Sequence, residues 1–172
     1  MNLWKDIPTF PSHGDDRVNS VIEISKDTNT KYEYDIELGV IKFERCLISA
    51  MRYPCNYGFI PQTLGDDGDP LDIIVSLNES LIPGTVITGR VLGALNMNDK
   101  GKKDYKILVA PDFIHSRIAS LSDLDPLYLD VIADFFSHYK NVTKSDVKVY
   151  GWLDKSTAVQ IIQESRQAYV TM

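Results

Sequence analysis

Cysteine is scarce in this 172-residue chain. The two present, Cys46 and Cys55, form neither a CxxC pair nor a Cys/His spacing that binds zinc, so both are expected to be buried, reduced thiols. Histidine is equally sparse. His13, His115 and His138 have no zinc-like spacing and are expected to be structural or exposed. No apolar run approaches the length of a membrane span. The stretch Met1-Asn2-Leu3-Trp4-Lys5-Asp6 lacks the charged and then apolar regions of a secretory leader. A reduced, cytoplasmic setting with no membrane partner is the expectation. Positive charge is in deficit, with 18 Lys and Arg against 24 Asp and Glu and a net charge of −6. No overall field therefore attracts nucleic acid or anionic lipid, and an anionic substrate would need local cations. Absence of G-x-S-x-G, Walker A and G-x-G-x-x-G argues against serine hydrolases, P-loop NTPases and dinucleotide enzymes.

What is present is enough to build a core. The apolar fraction is 44%, ordinary for a folded protein, and with no repeat or linker one domain over residues 1–172 is expected. Residues 18–24 are rich in β-branched side chains and read as a strand. Residues 31–35 alternate, with Lys31, Glu33 and Asp35 on one face and Tyr32 and Tyr34 on the other. A turn at Leu38-Gly39 leads to a strand at 40–47, where Arg45 has the parity of Ile41 and Phe43. Residues 71–77 read as a buried strand, and 85–97 as a long one bent or bulged at Gly89 and Gly93. The loop 98–103 and a strand at 104–110 complete a hairpin with Asp99 and Asp104 at its mouths. Asp125-Pro126 caps a helix carrying Leu129, Ile132, Phe136 and Tyr139. A strand at 147–152 and a helix over 156–170 follow. Strands first and helices late predict a mainly β, α+β fold: an antiparallel barrel flanked by two helices, with OB-like Greek-key closure one candidate.

The chemistry concentrates in Asp67-Gly68-Asp69-Pro70-Leu71-Asp72, with Asp66 beside it. Crowded carboxylates repel one another, a strain that a bound cation relieves. Their oxygens suit the hard ions Mg²⁺, Mn²⁺ or Ca²⁺. An EF-hand does not fit, because Leu71 sits where a ligand belongs and no glutamate closes a twelve-residue loop. An acidic surface turn and a DxD phosphatase nucleophile stay open at this point, although the residues before Asp66 make a poor strand for the latter. Asp99, Asp104 and Lys106 add two carboxylates and a cation. Lys31, Arg45, Tyr53, Tyr57, Tyr139 and Lys140 are donors able to grip phosphate oxygens. Together these residues point to metal-assisted hydrolysis of a phosphoanhydride. A DxD-type phosphatase and a non-enzymatic OB-like binding module are the competing readings, the second weakened by the missing basic aromatic platform.

Asp67-Gly68-Asp69-Pro70-Leu71-Asp72 resembles the D-G-D-P-x-D signature of the soluble family I inorganic pyrophosphatases of bacterial type. Tyr53-Pro54-Cys55-Asn56-Tyr57-Gly58-Phe59-Ile60-Pro61 is similar to that family's Y-P-x-N-Y-G segment, and Lys31-Tyr32-Glu33 to its K-Y-E strand. Arg45, Asp99, Asp104, Lys106 and the run from Phe135 to Lys140 also match. The resemblance implies a five-stranded OB-like barrel, several Mg²⁺ ions per site with Mn²⁺ as a possible substitute, a cytoplasmic homohexamer, and pyrophosphate as substrate. By the same resemblance Asp67, Asp72 and Asp104 hold the tightest metal. Asp99 and Asp104, aided by Glu33, serve the ions arriving with substrate. Asp69 lies near the metals and is the general base for direct attack by water. Lys31, Arg45, Tyr57, Lys106, Tyr139 and Lys140 hold the phosphates, and Arg45, Lys31 and Tyr139 stabilise the leaving group. Glu23 and Tyr53 match site residues of less defined role, and Asp66 has none. The chain departs from the family at Lys100, where bacterial members carry an acid beside Asp99, and at Asp134, where some hexameric members have a histidine at a subunit contact.

Overall fold

The computed structural model describes residues 1–11, 16–114 and 117–172, so His13 and His115 lie outside the described residues. Nine strands and two α-helices follow in chain order among the described residues: β1 (Arg17–Ile24), β2 (Thr30–Asp35), β3 (Val40–Cys46), β4 (Asn56–Phe59), β5 (Asp72–Val75), β6 (Val86–Asp99), β7 (Lys102–Lys103), β8 (Lys106–Pro111), α1 (Pro126–His138), β9 (Val147–Leu153) and α2 (Lys155–Val170). β1 pairs with β4, β4 with β5, β5 with β8, β8 with β6, and β6 returns to β1. That circuit of five strands is the barrel, and closure leaves it no free edge. The expected OB-like barrel with helices is what forms. Its strands are antiparallel except β5 and β8, which run parallel. The segment between them forms β6 and its hairpin, so β8 returns on the far side of β5 in the same direction.

Length lets β6 serve several partners. Its first half pairs with β1 and β8, and its second half with β9 and the short β7. The expected irregularity at Gly93 is a bulge against β8, and a second bulge falls between Asn96 and Met97 against β9. Gly89 keeps regular pairing with Pro111 and Val18. β4 was not legible as a strand, because all four of its residues are buried and include Asn56 and Gly58. Glycine is required at position 58: a Cβ there would meet the Val21 carbonyl oxygen at 1.9 Å.

The helices form for local reasons. The Asp125 carboxylate accepts from the Leu127 amide at 2.9 Å and Pro126 opens the first turn of α1. Asp154 caps α2 through the Thr157 amide at 2.8 Å. α1 buries Ile132, Phe135 and Phe136 among barrel residues that include Tyr53, Tyr57 and Ile74. α2 buries Ala158, Ile161 and Ile162 in a second cluster with Ile73, Val91 and Ile107. Each large side chain so buried contributes about 1.5–3 kcal/mol. Both cysteines are free, but only Cys55 is buried. Cys46, expected to be buried, is exposed at the end of β3. The reason is that β2 and β3 form a separate two-stranded sheet outside the barrel. His138 is exposed, with Nδ1 3.0 Å from an Asp134 carboxylate oxygen. No helix among the described residues is long and apolar enough to cross a membrane.

Candidate active site

A cavity of about 260 Å³ opens between the β2–β3 hairpin, the loop leading to β5, the start of β8 and the end of α1. Apart from Arg45, it brings together every candidate from the sequence: Glu23, Lys31, Glu33, Tyr53, Tyr57, Asp67, Asp69, Asp72, Asp99, Asp104, Lys106, Tyr139 and Lys140 all line it. Backbone register explains much of this. Tyr57 on β4 sits opposite Ile74, and Asp72 lies between Phe59 and Lys106 on its two neighbouring strands. Asp104 is two residues before Lys106. Asp72 and Lys106 are thus direct cross-strand partners, Asp72 partly buried and Lys106 fully so.

Lys106 is 2% exposed. Its ammonium lies 2.5 Å from both the Asp72 and Asp104 carboxylates and between the rings of Tyr57 and Phe136, 5.5 and 5.7 Å from their centroids. Burial pushes its pKa down, but the Asp72 and Asp104 charges overcome that and raise it. It stays cationic in a place where an unpaired charge would be untenable. Lys140, following α1, lies 2.5 Å from Asp99, and Lys31 joins Glu33 and Glu44. Lys31 and Lys140 are each raised in pKa despite burial, by Glu33 and Glu44 in the first case and by Tyr139 and Asp99 in the second.

The carboxylates carry the opposite strain. Burial, then Asp67 and Glu33, raise Asp69 above the usual carboxylate range. Burial also raises Asp104, against the opposing pull of Lys106. Glu23 is raised to about 8 by burial, with Asp72 and Glu33 adding to it, although the Tyr34 amide donates to it at 2.7 Å. Burial holds the Tyr57 phenol far above its ordinary value. Among the described residues no group of three or more His, Cys, Asp or Glu side chains is arranged around one point to enclose a metal ion; between Asp72 and Asp104 lies the Lys106 ammonium. The donor set nevertheless fits a hard divalent cation. It consists of carboxylates that line one cavity and repel one another, Asp67 and Glu33 acting on Asp69 and Asp72 on Asp104.

Arg45 is the exception. β3 bulges against β2 between the pairs Lys31–Arg45 and Tyr32–Phe43, with Glu44 the extra residue. The bulge breaks the parity read from the sequence. Arg45 turns to the side of Lys31, away from Phe43, and its Nε sits 3.4 Å from Glu44 without lining the cavity. Glu44, 2.5 Å from Lys31, was missed because strict alternation put it on the face away from Arg45. Tyr32, Tyr34, Phe59 and Phe136 also line the cavity. Their signal in the sequence was indistinguishable from core aromatics. Asp66 lines an adjoining cavity with Asp67, Asp72 and Asp104.

The family model described as inorganic pyrophosphatase matches residues 20–170. An inorganic pyrophosphatase of Nostoc sp. is 42% identical over 165 residues, covering 95% of this chain and 96% of that protein. One from Methanosarcina mazei is 44% identical over 151 residues, covering 87% and 89%. Among solved structures, the Thermus thermophilus inorganic pyrophosphatase is similar with a TM-score of 0.92 at 35% identity, covering 99% of each chain. A truncated vacuolar soluble pyrophosphatase of Trypanosoma cruzi in complex with PPi is similar at 0.89 and 27% identity, covering 98% of this chain and 78% of that one.

Proposed function

We propose, for a chain that belongs to the family of inorganic pyrophosphatases and is therefore a diphosphatase, that water attacks pyrophosphate directly, with Asp69 as general base and divalent cations held by the surrounding carboxylates. The observation that carries this reading is the placement of both signs of charge in one cavity: Asp67, Asp69, Asp72, Asp99 and Asp104 line it together with Lys31, Lys106 and Lys140. Phosphoryl transfer needs positioning and charge neutralisation more than a covalent nucleophile, and this cavity is built for those two tasks.

Asp67, Asp72 and Asp104 would hold the tightest cation, and Asp99, Asp104 and Glu33 those that accompany substrate. When bound, such ions acidify a water and neutralise phosphate oxygens. Mg²⁺ is the proposed ion, with Mn²⁺ a possible substitute. Asp69, on the exposed loop and made more basic by partial desolvation and by Asp67, takes the proton of the attacking water. The ammonium groups of Lys31, Lys106 and Lys140 and the phenols of Tyr57 and Tyr139 donate to phosphate oxygens. Tyr57, its pKa held far above neutral, stays a donor throughout turnover. Lys31 and Tyr139, from opposite sides of the cavity, receive the leaving phosphate. Arg45 would join them only by releasing Glu44.

Self-association into a homohexamer belongs to the same proposal. It is supported by apolar side chains left exposed on one face of α1, Leu127 and Val131. The test of the catalytic reading is phosphate release from pyrophosphate with and without divalent metal. Turnover that needs Mg²⁺ and stops with chelator supports it; metal-independent turnover refutes it.

A further inference from the structure

The cluster from Asp66 to Asp72 lies on an exposed loop, yet its members must keep their spacing to share an ion and a water. We infer that Thr63 is the positioning residue for that loop, its hydroxyl pinning the loop's two ends together. This rests on the roles proposed above for Asp67, Asp69 and Asp72. Thr63 is completely buried. Its hydroxyl donates to the Ile60 carbonyl at 2.6 Å and accepts from the Leu71 amide at 2.9 Å. One side chain therefore joins the residue that follows β4 to the residue that precedes Asp72.

The neighbouring bonds show that the clamp is directional. The Ile60 amide donates to the Leu71 carbonyl at 2.8 Å, closing the neck beside Thr63. The Thr63 carbonyl accepts from the Trp4 indole at 2.9 Å. The Leu64 amide donates to the Ser165 carbonyl of α2 at 2.9 Å. Beyond the neck the loop's hydrogen bonds among the described residues are its own: Gly65 amide to Asp69 carbonyl at 2.7 Å, Gly68 amide to Gly65 carbonyl at 3.2 Å, and Asp69 amide to Asp67 carboxylate at 3.1 Å. Asp67 and Asp69 are thus placed relative to the Thr63 neck, and Asp72 is placed by β5. The hydroxyl is the side-chain bond that ties these two frames to each other. Supporting bonds of this kind set ligand geometry to within tenths of an ångström.

Thr63→Val keeps shape and loses the hydroxyl; Thr63→Ser keeps the hydroxyl. Thr9→Val is the stability control. Thr9 is also buried and its hydroxyl donates to the nearby Pro61 carbonyl at 2.8 Å, but it does not touch Leu71. We expect Thr63→Val to raise the Mg²⁺ concentration for half-maximal activity and to lower kcat, each by about 10–100-fold. Thr63→Ser should stay within about threefold of the parent, and Thr9→Val should lose thermal stability with kcat and Mg²⁺ dependence unchanged. If Thr63→Val does not fold, Thr63→Cys, a poorer acceptor of the same size, is read by the same criteria. Parental kcat and Mg²⁺ dependence in the folded hydroxyl-less variant, with only the melting temperature lowered, would overturn the inference. That outcome is distinct from a failure of the catalytic reading, which would appear as full activity in Asp69→Asn with Thr63 intact.

Discussion

The two walls of the cavity are built differently. On one side, Asp72, Asp104 and Lys106 stand on or beside β5 and β8 inside the closed barrel, and Lys106 is almost fully buried. On the other, Lys31, Glu33, Glu44 and Arg45 stand on the two-stranded β2–β3 hairpin, whose residues are mostly partly or fully exposed. Both walls bear ion pairs of similar length. Their energetics differ, because water screens the hairpin pairs while the barrel pairs share a low dielectric. The contrast predicts a barrel wall more rigid than the hairpin wall.

The sharpest way to break this contrast is Lys106→Met. Removing one partner of a buried ion pair costs about 3–5 kcal/mol, because Asp72 and Asp104 are left facing each other. Differential scanning should show a melting temperature lower by about 10 °C, and phosphate release should fall about 1,000-fold. Added Mg²⁺ should restore part of the stability and little of the activity. An unchanged melting temperature would mean that the barrel wall is no more rigid than the hairpin.

Lys31→Met probes the opposite wall. Its pairs are partly exposed, so stability should change by no more than about 1 kcal/mol. Activity should drop about 10–100-fold, as expected for loss of one charged phosphate contact. Arg45→Gln should cost less than about tenfold, since Arg45 faces Glu44 rather than the cavity. A loss equal to that of Lys106→Met would show that the hairpin rearranges far enough to bring Arg45 onto substrate.

Arg45 also marks where the sequence stopped being readable. Alternation assigns side chains to faces only while register is regular, and the bulge at Glu44 shifts it by one. The same rule worked at Lys31 and Glu33, which stand on the unbulged strand β2 to either side of the shift and both reach the cavity. The strands β1, β6 and β9 and the cap at Asp125 were visible because β-branched runs and capping residues act locally. The burial of β4 and the parallel pairing of β5 with β8 depend on chain crossings that no local pattern encodes. The aspartates were found because D-G-D-P-x-D carries its own signature; their ion-pairing to Lys106 and Lys140 was not, since pairing across strands is a property of register.

A smaller effect separates the walls by pH. Glu23, buried on β1 beside Asp72, is raised to about 8. A carboxyl raised in the folded state supports the fold when protonated. That support is complete below the unfolded value near 4.5 and is lost as pH rises to about 8. In metal-free protein, Glu23→Gln should match the parent in melting temperature at pH 4, and exceed it by a few degrees above pH 8. A gap that stays constant with pH would show that Glu23 is not the titrating group.

The central claim is that Asp69 removes the proton from the attacking water, and Asp69→Asn tests it most directly. The amide keeps size and polarity and cannot act as base. Measured at saturating Mg²⁺ and pyrophosphate, kcat should fall by about 100–10,000-fold, with the melting temperature nearly unchanged because Asp69 is exposed on its loop. Full activity in a folded Asp69→Asn protein would contradict the account.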